Sequence, residues 1–163
     1  MTTLNFRPQQ VWGELLLNWW RGLAADTGGR AALRRAPDIT AVVMLPAFQH
    51  LHRRLLAAGW PDPPWQSEQN DRLAAAAGLL AHVREHCELT LPVAMSEGDK
   101  PRVSPMRFMR MLESPDIDAL FGGLRRALPL LEHRTDVLAL TTDIVNWNDD
   151  VRKRWAYAYN WPA

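Results

Sequence analysis

The sequence has one cysteine, Cys87, and only two lysines, Lys100 and Lys153. A lone cysteine excludes an intrachain disulfide framework and fits a reducing compartment. Long hydrophobic runs are missing too. The first apolar stretch, VWGELLLNWW, is interrupted by Glu14 and Asn18, so neither a signal peptide nor a membrane span is expected. There is no phosphate-binding glycine loop, no dinucleotide-binding glycine pattern and no G-x-S-x-G elbow. These absences lead to the expectation of a soluble, cytoplasmic protein with no membrane partner, no cofactor and no catalytic residues.

What is present is a core and many arginines. The chain has 163 residues, 47% hydrophobic, enough for one domain or two small helical lobes sharing an interface. Formal net charge is only +1, yet 17 of the 19 basic residues are arginine, the side chain that makes bidentate bonds to phosphate and carboxylate. A GC-rich genome produces the same bias. Charge is therefore clustered along the chain and not high overall.

Periodicity predicts helices almost throughout. Residues 8–25 carry a stripe of Trp12, Leu15, Leu16, Trp19 and Leu23, ended by Gly28-Gly29. GRAALRRA then forms a short helix that gathers Arg30, Arg34 and Arg35 into a compact basic patch. A helix over 40–58 buries Met44, Phe48, Leu51 and Leu55 and stops at Gly59, and the proline-rich WPDPPWQ makes a turn. A third helix is expected over 71–87. The polar stretch 90–103 separates an N-terminal lobe, 1–92, from a C-terminal lobe, 93–163. In that second lobe, 136–147 is helical, with Val137, Leu140, Thr141 and Ile144 inward. Segment DDVRKRWAYAYNW fits strand or helix, Asp149-Asp150 making a good helix start, and helix is preferred because every other element is helical and no strand partner is apparent. The expected fold class is an all-α, two-lobed helical bundle.

The central stretch is KPRVSPMRFMRMLESPDIDALFGGLRRALPLL, residues 100–131. It divides at Ser114-Pro115 into two amphipathic helices. Phe108, Met111 and Leu112 share one face of the first, with Arg107 and Arg110 beside them. In the second, Ile117, Leu120, Phe121, Leu124 and Leu128 form the buried face, Arg125 its flank and Arg126 the opposite side. Gly122-Gly123 costs helix stability, which suggests a close approach there by a neighbouring helix or a nucleic-acid backbone.

One string suggests an enzyme. His82-Val83-Arg84-Glu85-His86 matches the H-x-x-E-H of inverted zinc peptidases. On the expected helix, however, its histidines project away from the apolar stripe, and no third ligand is apparent.

Taken together, GRAALRRA, PRVSPMRFMRMLESPD, LRRALPLL and VRKRWAYAYNW, in that order and spacing over residues 28–161, resemble the CasB family, the small subunits of type I-E CRISPR Cascade complexes. The resemblance implies an all-helical, two-lobed protein without enzymatic activity. Its partners would be the backbone and large subunits, guide RNA, target DNA and a second copy of itself. Basic residues fall in every matching string: Arg34 and Arg35, Arg107 and Arg110, Arg125 and Arg126, Arg152 and Lys153. With Arg30 and Arg102 from the same strings, they make the candidate nucleic-acid-binding set. Two other readings stand beside it: a helical adaptor that binds only proteins, and a zinc hydrolase built on His82, Glu85 and His86.

Overall fold

The computed structural model describes residues 4–163. Among them the chain forms ten α-helices: α1 (Val11–Gly22), α2 (Thr27–Arg35), α3 (Ile39–Val43), α4 (Pro46–Ala57), α5 (Glu68–Leu80), α6 (Leu91–Met95), α7 (Pro105–Leu112), α8 (Ile117–Ala127), α9 (Val137–Val145) and α10 (Asp149–Ala158). Two short strands, β1 (Glu85–His86) and β2 (Arg134–Thr135), pair in parallel. The architecture is an all-α bundle.

Local chemistry sets many of the helix starts. Side chains of Asp26, Asp38, Ser67, Ser104, Asp116, Asp136 and Asn148 each accept a backbone N–H of the first turn they precede. Each such cap stabilises its helix by about 0.5–2 kcal/mol. Pro46 and Pro105 occupy first turns, where a missing N–H costs nothing.

The bundle forms around α5. Every residue from Leu73 to Leu80 is buried, including four successive alanines, so this part of the helix is apolar all round and has neighbours on several sides: α3, α8 and α9. Small side chains let those neighbours come close. A Cβ at Gly78 would sit 2.9 Å from Val42 Cγ2 on α3 and 3.0 Å from Phe121 Cε2 on α8. One core cluster contains side chains from both sides of position 92.

Several expectations need correction. Gly28-Gly29 does not end α1; both residues lie in α2, because Asp26 accepts the Gly29 N–H and starts that helix earlier. The helix expected over 40–58 is two helices, broken before Pro46, whose ring cannot continue α3. Met44 sits at that break and is 72% exposed, while Phe48, Leu51 and Leu55 are buried as expected. The third helix ends at Leu80, so Cys87 lies beyond β1 and not on a helical stripe. Stretch 90–103 contains the short helix α6, whose Leu91, Pro92, Ala94 and Met95 are buried. Leu128 is buried but belongs to a 3-10 turn that follows α8. The joint at Ser114-Pro115, the inward face of α9 and the helical α10 all match. No helix among the described residues is long and apolar enough to cross a membrane.

Candidate nucleic-acid interface

Helices α7 and α8 pack so closely that a Cβ at Gly123 would lie 3.0 Å from Met111 Cγ. The close approach inferred for Gly122-Gly123 is therefore, at Gly123, with a neighbouring helix. Beside this contact opens a groove of about 630 Å³. Arg107, Arg110 and Arg126 line it together with Met111, Ala119 and Leu130.

All three arginines are exposed. Among the described residues none of them forms an ion pair, and none of the groove's lining residues is acidic. Arg126 rests back along its own helix, with Nη1 3.5 Å from where a Gly122 Cβ would be. Three guanidinium groups without counter-charges on one concave surface favour an anion, and their planar forks suit phosphate oxygens.

Arg125, one residue away, points elsewhere. Its Nη2 donates to the carbonyl of Arg34 at 2.9 Å, tying α8 to the end of α2. Arg30 Nε donates to the Ala81 carbonyl at 3.3 Å. Burial lowers the Arg30 pKa, and the nearby charges of Arg34 and Arg84 lower it further. His82 sits within the same cluster. Its pKa falls to about 4, through burial first and then the charges of Arg125, Arg34, His133 and Arg30. Its Nε2 is buried without a partner, and its carbonyl meets His133 Nδ1 at 2.9 Å. This second basic cluster is thus anchored to backbone carbonyls, unlike the groove.

The other candidates lie apart from both groups. Arg102 sits 3.6 Å from both Glu97 and Glu132, which Arg134 also engages at 2.8 and 3.3 Å. Arg152 pairs with Asp149 at 2.8 Å, and its guanidinium lies 5.9 Å from the Trp147 ring centre. Arg35 is exposed at the end of α2 and Lys153 is exposed on α10. The structure therefore brings together Arg107, Arg110 and Arg126 in the groove and Arg30, Arg34 and Arg125 around His82. Sequence reasoning missed Arg84 and His82 as members of the second cluster. Both follow the end of α5, in a non-helical segment that reaches α2 through non-local packing with no periodic signal.

The H-x-x-E-H string is not helical. His82 lies in a turn, and Glu85 and His86 form β1. His86 Nδ1 accepts the Val137 N–H at 3.0 Å, so it helps satisfy the start of α9. The pairing of histidines one helical turn apart, which that motif requires, is absent here. Among the described residues no group of three or more His, Cys, Asp or Glu is placed to hold a metal ion.

Residues 29–159 match the family described as CRISPR-associated protein Cse2. No curated protein matches the sequence. Among solved structures, the fold resembles a chain in a crystal structure of E. coli Cascade bound to a PAM-containing double-stranded DNA target, with a TM-score of 0.69 and 23% identity. That likeness covers 88% of this chain and 91% of the other. The family match takes in every basic residue of the four strings, and this chain is a member of the Cse2 family of CRISPR-associated proteins.

Proposed function

We propose that the chain is a non-catalytic small subunit of a type I-E Cascade surveillance complex that supports the opened DNA target. The observation that carries this reading is the convergence of Arg107, Arg110 and Arg126, all without ion pairs among the described residues, on the groove between α7 and α8. Family membership and the fold shared with a chain of a DNA-bound Cascade support it. Residues 1–92 and 93–163 act as two lobes of one body with a common core. Partners are the backbone and large subunits, guide RNA, target DNA and a second copy of the chain.

The mechanism is electrostatic. Exchanging a DNA duplex for a guide heteroduplex is nearly balanced in energy, a rule established for Cas9-type effectors, so modest contacts to one strand's backbone tip it. Arginines on phosphates supply that bias without reading sequence. With a net charge of +1, the free subunit binds nucleic acid weakly, and useful affinity comes from being held in an assembly at high effective concentration.

The test is co-expression with the candidate partner subunits and a guide RNA. The chain should co-purify, and assemblies lacking it should form fewer or shorter-lived R-loops. Co-purification with unchanged R-loops would favour the protein-only adaptor instead.

A further inference from the structure

We infer that the groove between α7 and α8 takes an unstacked nucleotide, with its phosphate on Arg107, Arg110 and Arg126 and its base against the apolar floor. This deepens the nucleic-acid reading above and rests on it. The observation is the mixed chemistry of the groove. A surface that only tracks phosphates needs neither concavity nor apolar lining, because backbone contacts are made at the outside of the strand. Here the three guanidinium groups share the lining with Met111, Ala119 and Leu130, and Leu130 is 40% exposed.

The groove's volume of about 630 Å³ lies within the range of roughly 300–1,000 Å³ for clefts that hold small ligands. A duplex keeps the faces of its bases inside the stack and presents phosphates outward. A single strand can splay a base into a groove and hold its backbone at the rim. No aromatic side chain lines this one. The surfaces available to a base face are therefore the guanidinium planes and the exposed Ala119 and Leu130 side chains, a platform that accepts any base because every base has a π-face. Gly123 lets Met111 lie directly against α8, which closes the groove from beneath.

The occupant is thus a single-stranded nucleic acid, bound without sequence preference and with a contribution from the base itself. The experiment measures binding of the full-length chain at low salt to three fluorescent DNAs: a short single strand, a strand of equal length and charge carrying abasic residues, and a duplex. The base-bearing strand should bind about tenfold more tightly than the abasic one. Ala119→Leu, at an exposed helix position, fills the floor without touching charge. It should erase that advantage and leave abasic binding unchanged. Equal binding of base-bearing and abasic strands, both weakened by Arg126→Ala, would overturn the inference while leaving the proposed function standing. Binding of an acidic, leucine-containing peptide with no binding of any DNA would overturn both. The abasic comparison needs no variant, so it decides the matter even if Ala119→Leu folds poorly.

Discussion

Replacing Gly78 with alanine should destabilise the protein, although glycine is a poor residue for the middle of a helix. In an open helix the change would add about 0.5–1 kcal/mol of stability. At Gly78 the new Cβ would meet Val42 Cγ2 at 2.9 Å and Phe121 Cε2 at 3.0 Å. Val42 is fully buried and Phe121 is 1% exposed, so neither can swing into solvent, and both must press on the helices behind them. Overpacking of this kind costs about 1–3 kcal/mol and outweighs the propensity gain. A net loss of up to about 2.5 kcal/mol is expected. In a urea titration the midpoint should fall with the slope unchanged. Phe121→Leu removes the ring edge that Gly78 faces, so Gly78→Ala should cost less on that background, with a coupling of at least about 0.5 kcal/mol. Stabilisation by Gly78→Ala, with strictly additive effects in the double variant, would refute the close α3–α5–α8 seam.

The folded pKa of His82, about 4, lies below its ordinary 6.5, so the unfolded chain binds more protons between those values. The stability His82 contributes is complete above pH 6.5 and is lost as the pH falls toward 4; urea midpoints at pH 7 and pH 5 should separate less in His82→Gln than in wild type. Asp143→Ala should cost about 1–3 kcal/mol by thermal melt, because it leaves the buried Trp155 Nε1 without the acceptor now 2.8 Å away. His86→Ala should lower stability by removing the acceptor of the Val137 N–H, and elemental analysis of wild type and this variant should show no stoichiometric zinc in either.

The parts of the fold governed by local chemistry were legible in the sequence. The stripes of α7, α8 and α9, the joint at Ser114-Pro115 and the Asp149-Asp150 start of α10 depend on residues within a few positions of one another. Elements set by distant contacts were not. β1 pairs with β2 across 49 residues, from Glu85 to Arg134, and that pairing accounts for the non-helical His82–His86 string. Pro46 was a local signal that could have been used, since proline fits a first turn and ends whatever precedes it. In the site, Arg107 and Arg110 share a helix face by spacing alone. Their meeting with Arg126 depends on how α7 packs against α8, and the pairing of Arg102 with Glu97 and Glu132 depends on the turn after α8. Charge spacing identifies arginines, but only the fold shows which ones already have partners.

The most direct test of the central claim compares R-loop lifetimes in the assembled complex at several salt concentrations. The samples are wild type, the triple variant Arg107→Ala/Arg110→Ala/Arg126→Ala, and the double variant Arg53→Ala/Arg54→Ala as a control on the exposed side of α4. All three changes in the triple variant are at exposed positions, so folding should survive. R-loops should be shorter-lived for the triple variant alone, on every target sequence. The magnitude of its log-affinity against log-salt slope should fall by about 0.7 for each single-strand phosphate that no longer meets an arginine. Equal lifetimes and slopes for the triple variant and the control, with the subunit still present in the complex, would contradict the central claim.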